Sequence, residues 1–142
     1  MLDAVLDTNV IVSGVVFKRG MTFDLRESWR RREWSLVTSP PILDEMQRVL
    51  SVPKIIRTYR ITVQVVTDLI RLLTSRATIV AGPLTMSRTA RDPHDDHILA
   101  CAKHGHADYV VSGDQDLLTL DRFEGIPIVT PSAFAAILKT SR

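Results

Sequence analysis

The sequence predicts an α/β fold: five short strands in a mainly parallel, doubly wound, Rossmann-like sheet with helices on both faces. Three observations predict it. Short apolar runs alternate with longer amphipathic segments, the pattern of βαβ units. Helix-start signals recur between those runs, as Ser39-Pro40, Asp92-Pro93 and Thr130-Pro131. The length of 142 residues suits one domain spanning 1–142, since a single core commonly holds about 100–200 residues.

The first strand runs from Asp3 to Asp7, with Ala4-Val5-Leu6 between two carboxylates. Ser13-Gly14 reads as a turn. A helix follows over Met21 to Arg32, and Arg30-Arg31-Arg32 in its last turn suits the helix dipole. Trp34 to Thr38 is the second strand. Ser39 caps the next helix, which starts at Pro40, carries Leu43, Met46, Val49 and Leu50 at core spacing, and ends before Pro53. Ile61 to Ser75 is another helix, with Val66, Leu69, Ile70 and Leu73 on one face. Ala77 to Val80 is the third strand, closed by Gly82-Pro83. Asp92-Pro93 opens a helix that ends at Gly105. Asp108 to Ser112 is the fourth strand, Gly113-Asp114 leads into a short helix through Leu120, and Ile126 to Val129 is the fifth strand. Thr130-Pro131 starts the last helix, with Phe134, Ile137 and Leu138 in its core stripe.

Composition excludes several classes. Apolar residues make up 45%, enough to bury a core, so a disordered chain is not expected. No run approaches the ~20 apolar residues of a membrane span. The Met1-Leu2-Asp3 start lacks the layout of a signal peptide. The one cysteine, Cys101, excludes an internal disulfide framework and a Cys-rich zinc site. These features predict a cytoplasmic protein with no membrane association. Gly-rich phosphate loops, Gly-x-Ser-x-Gly elbows and His-Glu-x-x-His motifs are absent from the sequence.

The net charge of +2 conceals a skew. Fourteen of 18 basic residues are Arg, and twelve of 16 acidic residues are Asp. Met46 to Arg91 holds eight basic residues and one acid, whereas Asp92 to Glu124 holds eight acids and two basic residues. An acidic centre with a basic surround follows.

In a parallel α/β sheet the strands end, and the following helices start, on one edge, and ligands bind in the crevice there. Asp7 ends the first strand. Glu45 lies in the first two turns of the helix after the second strand. Asp92, Asp95 and Asp96 open the helix before the fourth strand, and Asp114 and Asp116 follow that strand. Carboxylates ~4 Å apart repel by about 4 kcal/mol per pair at an effective dielectric of 20, so a fold that gathers them needs a cation. Oxygen ligands select Mg²⁺ or Mn²⁺. Such an ion with Arg around it suits phosphodiester hydrolysis on nucleic acid. Structural roles compete: Asp92 and Asp114 can serve as helix caps, Asp95 and Asp116 can simply complement a helix dipole, and Glu45 can lie in solvent. His94, His97, His104 and His106 read as solvated, Cys101 as core, and Trp29 and Trp34 as packing groups.

Together, Asp7-Thr8-Asn9-Val10, the lone Glu45, Asp92-Pro93-His94-Asp95-Asp96 and Ser112-Gly113-Asp114-Gln115-Asp116-Leu117 resemble a PIN domain. The closest resemblance is to the single-domain toxins of prokaryotic toxin–antitoxin pairs, of the VapC type, and Val49 to Ile55 looks like a stretch common among them. The resemblance implies a three-layer α/β/α sandwich and a Mg²⁺- or Mn²⁺-dependent endoribonuclease. It places the catalytic, metal-binding acids at Asp7, Glu45, Asp95 and Asp114, with Asp116 as a further metal ligand. It gives supporting roles to Asn9, Asp92, Asp96 and Ser112. Asp95 is preferred to Asp96 because it stands seven residues before a small helix residue, Ala102. The resemblance also implies a homodimer and a small antitoxin protein that blocks the site. Two other functions compete: a non-catalytic PIN-like module that binds RNA or protein, and a metal-dependent DNA nuclease or phosphatase.

Overall fold

The computed structural model describes residues 1–81 and 93–140. The first apolar run forms β1 (Asp3–Leu6), in which Ala4, Val5 and Leu6 are buried. Asp7 ends the strand by capping α1 (Thr8–Val16). Then come α2 (Met21–Arg30), β2 (Ser35–Thr38), α3 (Pro40–Leu50), α4 (Pro53–Tyr59), α5 (Val63–Arg76) and β3 (Thr78–Ile79). The second half supplies α6 (Pro93–His104), β4 (Tyr109–Val111), α7 (Gln115–Leu120), β5 (Arg122–Phe123), β6 (Ile126–Val129) and α8 (Pro131–Thr140).

The sheet order is β3-β2-β1-β4-β6-β5, and every neighbouring pair is parallel except β5 with β6. Helices flank it, with α6 packed against β1, β2 and β4. The five expected strands are present, and the α/β class stands. β5 is an additional two-residue strand at the edge. It forms a hairpin with β6 through Glu124 and Gly125, both at positive φ (47° and 83°), as a tight type I′ turn requires.

Ser13-Gly14 is not a turn. It lies inside α1. Glycine serves close helix packing here: a Cβ on Gly14 would sit 3.0 Å from the Thr22 carbonyl oxygen of α2. Pro53 likewise starts a helix instead of merely stopping one. α4 buries none of its residues and ends at Arg60, whose φ of 54° is left-handed. Ser39 occupies the cap position of α3, yet its side chain makes no capping hydrogen bond, whereas the Thr130 hydroxyl accepts from the Ala133 N–H at 3.1 Å.

The core centres on Trp34, Phe134, Met46, Leu99 and the valines of β1 and β4. Trp34 meets Phe134 edge-on, with ring centroids 5.3 Å apart, and its indole N–H donates to Ser28 Oγ at 2.9 Å. Trp29 and Cys101 are buried as expected. Among the described residues no helix is long and apolar enough to cross a membrane.

Candidate metal centre

The chain lays down β1, β2 and β3 outward in one direction, then returns to place β4 on the other side of β1. That reversal opens a crevice beyond the carboxyl ends of β1 and β4. Leu6 and Val111 pair as the last residues of the two strands, so whatever follows each strand faces the same gap. Asp7 follows β1, and Ser112, Gly113 and Asp114 follow β4. The first turn of α6 brings Asp95 to the same place. Carboxylate oxygens of Asp7, Asp95 and Asp114 all lie within 4.8 Å of one another. Asp7 and Asp95 are buried and Asp114 is half-buried.

Local hydrogen bonds fix this arrangement. The Asp7 N–H donates to the Val111 carbonyl at 2.9 Å, tying the strand end across to β4. Asp7 Oδ1 accepts from the Asn9 N–H at 3.4 Å, the capping bond of α1. Asp7 Oδ2 accepts from the Ser112 hydroxyl at 2.7 Å. Ser112 Oγ in turn accepts from the Asp114 N–H at 2.9 Å. Asp114 caps α7, its Oδ1 accepting from the Asp116 N–H at 2.8 Å. Two of the three carboxylates are thus oriented by helix caps, and Ser112 joins them.

Burial pushes the Asp7 carboxyl above its ordinary pKa. The Asp114 charge adds to that rise, while hydrogen bonds from Ser112, Asn9 and Thr8 oppose it. Desolvated negative charge next to negative charge is unfavourable, and a divalent cation would reverse it. The donor set fits such an ion: three carboxylates, joined by no thiolate or imidazole among the described residues, suit a hard cation.

The other expected residues are placed differently. Glu45 is on the second turn of α3, which packs against α1 and α6. Its side chain is partly exposed and pairs with Arg48, and it falls outside the three-carboxylate group. Asp116 is exposed on α7 and Asp96 half-buried on α6, both outside that group. Asn9 is exposed and contributes its backbone N–H to Asp7. Asp92 lies outside the described residues.

Two residues beside the group carry no signal in the sequence. Ser13 and Thr22 line a groove of about 360 Å³ together with Asp7, Asn9 and Asp114. Once α1 is recognised as continuous, Ser13 stands one turn beyond Asn9 on the same face.

A PIN-domain family profile matches residues 3–116. No curated protein sequence matches the chain. Among solved structures, VapBC2 from Rickettsia felis, bound to a DNA fragment from its promoter, superposes with a TM-score of 0.60 at 16% identity. The match covers 91% of this chain and 98% of that one. FitAcB from Neisseria gonorrhoeae superposes with a TM-score of 0.52 at 15% identity, with the same 91% and 98% coverage. At such identities the likeness is one of fold. The family match covers most of the sequence, and the chain belongs to the PIN-domain family, whose members are generally nucleases.

Proposed function

We propose that the protein is a Mg²⁺- or Mn²⁺-dependent endoribonuclease, acting as the toxin of a toxin–antitoxin pair. The observation that carries this reading is the meeting of Asp7, Asp95 and Asp114, from three separate segments, within 4.8 Å at the topological switch point. These three side chains would hold the ion. When bound, it supplies charge neutralisation and a water of lowered pKa. The chain's own residues do the rest. Ser112 and the Asn9 N–H hold the Asp7 carboxylate in one orientation, and the cap of α7 holds Asp114. Glu45 on α3, paired with Arg48, offers a further carboxylate near the site.

The basic segment suits the substrate. Arg48 on α3, then Lys54 and Arg57 on α4, present cations that attract phosphates. The same basic surface suits the acidic part of a small antitoxin. VapBC2 and FitAcB are themselves such two-component assemblies in fold-related proteins, and we infer a homodimer from the family resemblance.

The test is a substrate panel of RNA, single-stranded DNA and a phosphomonoester, with Mn²⁺ or with EDTA. Metal-dependent cutting of RNA alone, lost in Asp7→Asn, is expected. Undiminished cutting by that variant would remove the assignment. Preference for DNA or the monoester would move the protein to another hydrolase class. Induced expression without the neighbouring gene should arrest growth, and normal growth would count against the toxin role.

A further inference from the structure

We propose that the groove walled by Asn9, Ser13 and Thr22 seats one nucleoside of the RNA beside the scissile bond, and that these side chains select its base. This rests on the ribonuclease reading above and extends it to sequence preference.

Position is the first argument. Asp7 and Asp114 form one wall of the groove, so a group bound there touches the metal-binding carboxylates. Its volume of about 360 Å³ is near the lower end for ligand sites, roughly 300–1,000 Å³, which matches one nucleoside and not a longer segment.

The second argument is chemical. Among the described residues, no Lys, Arg or His lines the groove. A phosphate therefore finds no positive side chain among these walls to hold it. The groove's remaining walls are neutral: the Asn9 amide and the Ser13 and Thr22 hydroxyls beside the apolar Val10 and Pro131. Amides and hydroxyls offer both donors and acceptors, and apolar surface suits the face of a base. A neutral, flat, hydrogen-bonding group is what this lining accepts. A second groove, lined by Asp44, Gln47 and Arg48 of α3, its cap residue Ser51 and His97 of α6, carries the Arg48 cation. The two grooves thus divide the work, with phosphates following Arg48 and a base entering beside Asn9.

The third argument is rigidity. Ser13 Oγ and Thr22 Oγ1 lie 2.9 Å apart, and either can donate. One hydroxyl hydrogen is therefore left to point at a ligand, and its direction can adapt to an acceptor or a donor. The pair exists because Gly14 lets α2 approach α1 closely. Ser13 and Thr22 are each half-buried, so little ordering remains to be done on binding.

The experiment compares wild type with Ser13→Ala and Thr22→Val in Mn²⁺, on an RNA pool randomised around the cut. The base preference at the nucleotide adjoining the cut should weaken by up to about tenfold, the fold-change that one net hydrogen bond supports. Mn²⁺ affinity and melting temperature should stay at the wild-type values. An unchanged preference in both variants would overturn the proposal. Arg48→Ala serves as contrast: it should raise KM and leave the base preference alone, and a shifted preference would place base reading in the other groove. A wild-type protein that cuts no RNA defeats the ribonuclease reading instead. The groove is then tested directly by titrating adenosine, guanosine, cytidine and uridine into the Mg²⁺-loaded protein. Chemical-shift changes confined to the Asn9, Ser13 and Thr22 resonances are expected for at least one nucleoside, and none for any of the four would sink the idea.

Discussion

The Ser112 hydroxyl donates to Asp7 Oδ2 at 2.7 Å, joining residues 105 apart in sequence. Ser112 also accepts from the Asp114 N–H, so one side chain holds the Asp7 carboxylate and the backbone from which Asp114 projects. Ser112→Ala removes both bonds. Partners of this kind typically change metal affinity 10–100-fold, and about tenfold weaker Mn²⁺ binding by calorimetry is expected. The Asp7 carboxyl should titrate higher still, because a bond favouring its charged form is gone. Ser112→Thr, which keeps the hydroxyl, should restore both properties.

Asp7 shapes the pH dependence of the metal-free fold. Its folded-state pKa is raised, chiefly by burial. The native state therefore binds the proton more tightly than the unfolded chain. That stability is present below the ordinary carboxylate value and is lost as pH rises through the raised value. Asp7→Asn removes the charge at every pH. In EDTA the variant should melt higher than wild type at pH 7, and the difference should shrink as pH falls below 4. Saturating Mn²⁺ should raise the wild-type melting temperature and leave the variant unmoved. Urea or thermal unfolding across that pH range checks both signs.

The neighbouring acids separate by metal affinity. Asp95→Asn and Asp114→Asn each remove a clustered ligand and should weaken Mn²⁺ binding by at least about tenfold. Asp96→Asn and Glu45→Gln lie outside the cluster and should change it only two- to threefold, roughly. Glu45→Gln should lower cleavage nonetheless. Equal losses for Asp95 and Asp96 would show that the helix phase at the site differs from the one described.

Cys101 should behave as an inert core thiol. It is fully buried, and burial pushes its pKa up to about 12, partly opposed by Ser39. Only the thiolate reacts. A thiol reagent at pH 8 should therefore label the unfolded protein completely and the native protein at a rate limited by unfolding.

Gly105 packs tightly at the end of α6. A Cβ there would come within 2.7 Å of Val37 Cγ1, 2.8 Å of Val80 Cγ2 and 2.9 Å of the Cys101 carbonyl oxygen. Gly105→Ala should destabilise by about 1–3 kcal/mol, lowering the melting temperature by roughly 3–10 °C.

Strands and helix starts were legible because their signals are local. Ala4-Val5-Leu6 can only be a buried strand beside other strands, and Thr130-Pro131 announces a helix wherever it folds. Ser13-Gly14 misleads because both residues favour turns locally, while the reason for Gly14 is the approach of α2, a tertiary contact. The β5–β6 hairpin hides for a related reason: its first turn residue is Glu124, not the Asn or Asp that usually marks positive φ.

The candidate site divides similarly. Asp7 and Asp114 stand out because an acid ending an apolar run must lie at the sheet edge. The choice of Asp95 over Asp96 depends on helix phase, and the separation of Glu45 from the trio depends on how α3 sits against its neighbours. The first is legible only through the Asp95-to-Ala102 spacing that the PIN resemblance supplies, and the second is not written in spacing at all. Ser13 and Thr22 were invisible because single hydroxyls acquire meaning only from what they face.

The reversal of chain direction between β3 and β4 has a consequence for the birth of the molecule on the ribosome. β1, β2 and β3 can assemble from the first half of the chain, but one side of β1 then waits for β4. Asp7 meets Asp114 only after that late strand has emerged and docked. A nascent chain that has not yet released β4 and Asp114 therefore carries no assembled carboxylate centre.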